Sequence, residues 1–472
     1  MKEEFRLAWR NLWRNRRRTV ITAASVFFAV FFTVITRSLQ LGSYDHMINN
    51  IIQSFTGHLQ VQHIKYHDDP LIDNSFAYND SLISAISAIE KVVSVTPHIE
   101  SFTLASNGPQ TKGVAVIGID PAREKHFSDP EAKLVRYRIT GEAVEGMRTG
   151  ELPEKVLEKV EKNIGRSYSS AARIELELGL TDEEKNHCLS QILKYSEFKN
   201  GYLSPDDKGI LLADKLAGFL RAGIGDSIIL MGQGYHGVSA TGIFPVRGII
   251  KLPSPGLDSR LVIMTIPAAQ QLFDADGKIT SLVINLKDRS GRTITKARNK
   301  INALLPDTNT SARTWYELNE VLYQQMRGDS QSGKLMLLIL YFIIFFGIFG
   351  TVLMMISERR REFGVLVAIG MRKGKLKRIV IIEMVMLGII GLITGLLAGT
   401  PLITYFNHNP VIIKGDLGKM MEDWGYDAMM PTAPVGSYFY WQVVIVILMI
   451  LLAAIYPLRK IGKLKETEAL KS

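Results

Sequence analysis

Thr19–Thr36, Leu335–Ser357, Ile379–Ile403 and Phe439–Pro457 are four apolar runs whose only charged side chain is Glu383. Each is close to the roughly 20 residues an α-helix needs to cross a hydrocarbon core about 30 Å thick. In lipid every backbone polar group must be satisfied internally, so such runs can only be spanning helices. No further run of this kind lies between the first and the second. The 472-residue chain therefore reads as four transmembrane α-helices plus a large extracytoplasmic α+β domain between helices 1 and 2.

The net charge of +10 could suggest nucleic acid, but the basic residues crowd the apolar runs. They precede the first run, and only Arg37 follows it. Arg359, Arg360, Arg361, Arg372, Lys373, Lys375, Lys377 and Arg378 stand between the second and third, and Arg459, Lys460, Lys463 and Lys465 follow the fourth. By the positive-inside rule both termini and the 358–378 connection are cytoplasmic. This is membrane orientation, and no nucleic acid is expected as a partner. A cleaved signal peptide is the alternative at the N-terminus, but Thr36-Arg37-Ser38-Leu39 is a poor small-residue cleavage site, so an uncleaved first span is expected.

Before that span, Phe5, Ala8, Trp9, Leu12 and Trp13 recur at helical spacing, with Arg6, Arg10, Arg14 and Arg17 largely opposite. The pattern predicts an amphipathic helix along the inner membrane surface, its Trp rings at headgroup level. In the large domain, alternating or β-rich stretches at 57–64, 92–99, 112–119, 226–230, 244–250, 261–265 and 281–286 predict strands. Helical patterns near 80–90, 212–222, 267–273 and 292–304 lie between them, and mixed order of this kind predicts an α+β domain. Between about 145 and 200 the texture turns to Glu/Lys-rich helix with a capping box at Thr181-Asp-Glu-Glu184, which predicts a helical insertion. Cys188 is a lone thiol without metal-ligand spacing, and His58, His63, His67, Asp68 and Asp69 match no zinc site.

Gly328-Asp-Ser-Gln-Ser-Gly-Lys334 resembles the start of a phosphate-binding loop, but Leu335 stands where Ser or Thr should hold magnesium. It reads as a Gly/Ser hinge into the second span. No nucleophile elbow, zinc-protease or kinase pattern occurs, so the chain is not expected to be an enzyme, and any ATP is hydrolysed on another chain. Phe27, Phe28, Phe31 and Phe32 on the first span, with Phe345 and Phe346 on the second, are either core and lipid packing or the lining of an acyl-chain path. Gly391, Gly395 and Gly399 form a small-residue stripe open to a neighbouring helix or a dimer contact. Glu383 lies about four residues inside the third span, about 6 Å deep, where an ion pair with a nearby Arg is expected.

The 358–378 connection is the segment that needs a partner. Phe363 to Ile369 is almost entirely apolar, and a cytoplasmic loop with such a stretch must be covered by protein or membrane. Phe363, Leu366, Val367 and Ile369 read as an apolar knob between Arg359–Arg361 and a helix-ending Gly370.

This layout resembles the ABC-superfamily permease subunits with an FtsX-like domain, and among them the lipoprotein-releasing LolC/LolE type, with the MacB type next. The resemblance rests on Ala8-Trp-Arg-Asn-Leu-Trp-Arg-Asn-Arg-Arg-Arg-Thr19, on Ser357-Glu-Arg-Arg-Arg-Glu-Phe-Gly-Val-Leu-Val-Ala-Ile-Gly-Met371 and on Glu383. Gly209 to Leu230, Ala268-Ala-Gln-Gln-Leu-Phe273, Tyr456-Pro-Leu-Arg-Lys460 and Glu468-Ala-Leu470 add to it. It implies a multi-pass protein of the bacterial inner membrane, divided into an interfacial helix (1–18), spans at 19–38, 335–357, 379–403 and 438–457, a periplasmic domain (39–334), a coupling segment (358–378), an outer loop (404–437) and a cytoplasmic tail (458–472). It implies as partners two ABC ATPase subunits, a second permease chain, and a periplasmic carrier or cargo lipoprotein, with ATP-Mg bound only on the ATPases. The ATPase-coupling residues would be Arg359, Arg361, Glu362, Phe363, Gly364, Leu366, Ala368, Ile369 and Gly370. The implied function is ATP-driven extrusion of a lipidated or amphiphilic substrate. The alternatives are a regulatory permease controlling a cell-wall hydrolase, or a drug or peptide exporter.

Overall fold

Among the described residues, helices Arg16–Ile51 (TM1), Glu320–Glu358 (TM2), Lys373–His408 (TM3) and Ser437–Gly462 (TM4) are the four long, apolar helices, and a large domain separates the first from the rest. The computed structural model describes residues 2–14, 16–150, 152–305, 308–413, 415–423 and 427–462. Lys463, Lys465 and Glu468–Leu470 lie outside the described residues. The chain divides into a membrane unit (1–46, 324–411 and 429–472) and a domain unit (47–323 and 412–428).

TM1 and TM2 are longer than their apolar runs, at 36 and 39 residues. At 1.5 Å per residue each is over about 50 Å long. Gly328–Lys334 therefore lies inside TM2, and no hinge interrupts it. The reason is packing: a Cβ at Gly333 would meet the Gln40 amide of TM1 at 2.3 Å, while Tyr44 hydrogen-bonds Asp329. Glycine there admits TM1 instead of breaking TM2.

TM3 is the most buried of the four. TM4 lies against it at Gly388, where a Cβ would sit 1.9 Å from Ile450. TM2 joins TM4 through the Tyr341 hydroxyl, which donates to Gln442 Oε1 at 2.6 Å, and through Phe349 against Tyr456.

The domain unit is organised by one long strand. Its nine main strands are Leu59–His63 (β1), Val92–Asn107 (β2), Gln110–Ile119 (β3), Ile210–Ala213 (β4), Ser227–Gln233 (β5), Ser239–Ile250 (β6), Leu261–Thr265 (β7), Ser281–Leu286 (β8) and Thr310–Thr314 (β9). They run in the order β9-β1-β8-β2-β3-β7-β4-β6-β5, and β5 pairs back on β2. The second half of β2 thus closes a six-stranded barrel filled by residues such as Val116, Leu212, Leu230 and Ile263. Its first half belongs to an open sheet covered by helices Asp80–Ser87 and Gly291–Leu304. Closure removes exposed edges.

Helices Gly141–Thr149, Glu154–Glu161, Ala171–Leu178 and Asp182–Ser196 share a separate core around Val144, Val160, Ile174 and Ile192. Cys188 is buried in it. The Thr181–Glu184 capping box is formed. Among the described residues no three His, Cys, Asp or Glu side chains converge as metal ligands. His58 instead accepts the Leu286 N–H at 3.2 Å, a sheet-stabilising role.

A buried histidine lies between two carboxylates. His98 on β2 is fully enclosed, with Nε2 2.9 Å from Glu124 and Nδ1 3.6 Å from Glu100. Burial alone would push the imidazole down, but the two carboxylates outweigh it and raise its pKa to about 9. A folded-state pKa above the unfolded value of about 6.5 contributes stability that is complete below that value and lost as pH rises through about 9. The hydrogen-exchange protection of β2, corrected for intrinsic rates, is expected to fall by on the order of 3 kcal/mol between about pH 6.5 and 10. In Glu124→Gln most of that pH dependence should disappear; a profile unchanged by the substitution would count against the charged pair.

Candidate coupling site

The apolar connection between TM2 and TM3 forms the helix Arg360–Ala368, and Gly370 with φ +102° turns the chain into TM3. Only glycine takes that conformation cheaply. Phe363 does not form part of an exposed knob. It is 1% exposed and packs beneath the Arg359 guanidinium, 5.0 Å from the ring centroid. Gly364 and Val367 are buried beside it, and Leu366 is half-buried. The face left outward carries Arg361, Val365, Ala368 and Ile369, the last 80% exposed. Val365 is absent from the expected coupling residues, although its spacing of four from Arg361 and Ile369 puts all three on one stripe.

Arg359 explains this register. Its guanidinium makes two bonds to the Glu383 carboxylate of TM3, at 3.0 and 2.8 Å, and its Nε lies 3.2 Å from Glu362. A buried carboxylate is tolerable only when paired and hydrogen-bonded. Once Arg359 turns inward to meet Glu383, Phe363 one turn later must follow.

Glu362 extends the pair to the N-terminal helix Lys2–Arg14, accepting from Arg14. Burial raises the Glu362 carboxyl, but the two arginines outweigh it and hold it below the usual carboxylate range. Ala8 and Leu12 of that helix pack on Ile379, Met386 and Leu387 of TM3, while Phe5, Trp9 and Trp13 stay exposed. Glu3 and Glu4 reach Lys375 and Arg378, each at 3.9 Å. A cavity of about 230 Å³ lies among Asn11, Arg14, Arg359 and Glu383. The arrangement ties three elements together at one end of TM3.

The other sequence-predicted residues lie elsewhere in the membrane unit. Phe27 stacks on Phe31 and Phe28 on Phe32, with Phe28 and Phe32 exposed. Phe345 packs toward the helix core and Phe346 is exposed. The glycine stripe is filled from within the chain. A Cβ at Gly391 would lie 2.6 Å from Val26 and 2.7 Å from the Ala23 carbonyl, and one at Gly395 2.9 Å from Val30, whereas Gly399 has nothing nearer than 3.9 Å. At Gly391 and Gly395 the stripe therefore seats TM1. Gly391→Ala and Gly395→Ala are each expected to destabilise by about 1–3 kcal/mol, and Gly399→Ala to be close to neutral, in thermal unfolding. Equal effects at all three positions would contradict this packing.

Residues 334–465 match the family described as FtsX-like permease C-terminal. The lipoprotein-releasing system transmembrane protein LolC of Xylella fastidiosa strain 9a5c is 23% identical over 301 residues, covering 61% of this chain and 70% of that protein. Its counterpart in strain Temecula1 is 22% identical over the same length. Among solved structures, the extracellular domain of the noncanonic ABC-type transporter YknZ from Gram-positive bacteria aligns with 54% of this chain and 99% of its own, at 11% identity and a TM-score of 0.27. The periplasmic region of MacB from Actinobacillus actinomycetemcomitans aligns with 59% and 98%, at 10% identity and a TM-score of 0.30. Those scores are too low to assign the domain fold. Residues 334–465 thus resemble the C-terminal region of FtsX-like permeases, and the chain shows distant homology to LolC.

Proposed function

We propose that this chain is the permease subunit of an ATP-driven ABC transporter that works by mechanotransmission. Two ATPase subunits dock on the loop helix Arg360–Ala368, and a second permease chain, identical or homologous, completes the assembly. The observation that carries this reading is the loop helix itself. It lies within the region matching the FtsX-like family, presents Val365, Ala368 and Ile369 outward, and is bonded through Arg359 to Glu383 of TM3. ATP and magnesium belong to the partner, and the chain itself is not an enzyme.

The basic residues beside the spans support cytoplasmic termini and a cytoplasmic loop helix, with the domain unit on the outer side of the inner membrane. The cargo is a lipidated or amphiphilic molecule taken from the membrane, and the name of the LolC relatives favours a lipoprotein. The exposed Phe28, Phe32 and Phe346 would face its acyl chains. The test is purification with the co-expressed ATPase in nanodiscs, followed by ATP hydrolysis with and without triacylated lipoprotein. Stimulation by the lipoprotein is expected. Activation only by a cell-wall hydrolase, with no lipoprotein bound, would overturn the cargo assignment.

A further inference from the structure

The N-terminal helix Lys2–Arg14 does not continue the axis of TM1. The Thr19 hydroxyl at the start of TM1 donates to the Leu12 carbonyl at 2.6 Å, whereas seven residues of straight helix would set them about 10 Å apart. The two helices therefore meet at a corner, and the short one packs on TM3. At about 100° per residue it presents three stripes. Glu4, Ala8 and Leu12 are buried toward TM3, and Phe5, Trp9 and Trp13 on the next stripe are 57%, 45% and 45% exposed. Arg6 and Arg10, a further step round, are exposed as well.

What covers the rings follows from where the helix touches TM3. Of its contacts there, Ile379 opens the apolar run and Leu387 lies eight residues in, about 12 Å along the axis. Side chains exposed at that depth face the boundary between acyl chains and headgroups, the level at which Trp is enriched. Trp9 and Trp13 hold each other edge to face, with centroids 5.9 Å apart. The acids of the helix are engaged elsewhere, Glu3 with Lys375 and Glu4 with Arg378, and Arg14 is bonded to Glu362. Among the described residues no carboxylate pairs with Arg6 or Arg10. Side chains four residues apart on a helix are neighbours, so the two guanidiniums can reach one phosphate.

We propose that Phe5, Trp9, Trp13, Arg6 and Arg10 form a binding surface for an anionic phospholipid of the leaflet in which this helix lies. The rings sit among its glycerol and upper acyl atoms, and the two arginines hold its phosphate. Net charge selects the lipid. A zwitterionic headgroup brings an ammonium that two unpaired guanidiniums repel, whereas phosphatidylglycerol brings the phosphate without one; basic residues beside aromatic ones on an interfacial helix are suited to this. The inference goes beyond the permease reading and does not depend on it, because it needs only that the four long helices span a membrane. Arg14, one turn after Arg10, bonds Glu362, so the lipid lies beside the loop helix.

The test places the full chain in nanodiscs of mixed phosphatidylcholine and phosphatidylglycerol, in which one lipid or the other carries acyl-chain bromine at the same mole fraction. Subtracting the fluorescence of Trp9→Phe/Trp13→Phe from that of the unaltered chain isolates the helix from Trp315, Trp424 and Trp441. Quenching of this signal by brominated phosphatidylglycerol should be about two- to fivefold that by brominated phosphatidylcholine. The excess should shrink at about 1 M salt, where the Debye length is about 3 Å. With the same subtraction, Arg6→Gln/Arg10→Gln should bring the two lipids close to equal, and Arg6→Lys/Arg10→Lys, which keeps the charge, should retain the preference. Equal quenching by both lipids in the unaltered chain would overturn the anionic preference. Quenching by neither would place the aromatic stripe against protein, a second copy included, and overturn the surface. A preference that survives Arg6→Gln/Arg10→Gln would overturn the assignment to these arginines.

Discussion

Arg359→Ala is expected to lower the stability of the membrane unit by about 3–5 kcal/mol, because it leaves the buried Glu383 carboxylate without its bidentate partner. Glu383→Leu alone should cost less. It strands a guanidinium that is 12% exposed and retains Glu362 at 3.2 Å. The decisive comparison is Arg359→Leu with Glu383→Leu in one chain. Two apolar side chains in place of a buried pair are often neutral or stabilising, so the double variant should unfold above Arg359→Ala in a thermal scan. Coupling should not recover with it. The stable double variant has lost the link between loop helix and TM3, so ATP hydrolysis by the docked subunit should no longer respond to cargo. A double variant with normal coupling would show that the pair only stabilises.

The second large effect concerns the outward face of the loop helix. Val365→Asp and Ile369→Asp should leave unfolding of the permease within about 0.5 kcal/mol, as substitutions of exposed residues usually do. Each should weaken ATPase binding by more than about 30-fold if the position is a docking hot spot worth over 2 kcal/mol. Phe363→Ala should behave in the opposite way. Its ring is buried under Arg359, and removing it costs about 3–5 kcal/mol of folding stability whatever the partner. Retention of the ATPase by Ile369→Asp in a pull-down, at wild-type yield, would exclude this face.

What could be read from the residues divides along physical lines. The spans are legible because a run of about 20 apolar residues has one solution in a bilayer, and the Thr181–Glu184 cap because both partners lie within one helical turn. The barrel is not. Its closure depends on Ser106 pairing with Ile229, a contact that no local period encodes. The loop helix shows the same limit at the scale of one turn. Its apolar content is evident, but which apolar residue faces out depends on Arg359 reaching Glu383, 24 positions along the chain. The glycine stripe likewise announces a close helix neighbour without saying that the neighbour is TM1 of the same chain. The GDSQSG segment reads as a hinge only until Gln40 is seen packed on Gly333.

Labelling of single cysteines on the loop helix tests the central claim most directly. Cys188 is the only native thiol and is buried, so Cys188→Ala provides a background in which Ile369→Cys or Val365→Cys is the sole reactive site. Maleimide labelling of both positions should be rapid in the permease alone and strongly suppressed once the ATPase is bound, with Arg166→Cys in the helical insertion unaffected. Equal labelling of Ile369→Cys with and without the ATPase would contradict the assignment of this helix as the place where the chain is driven.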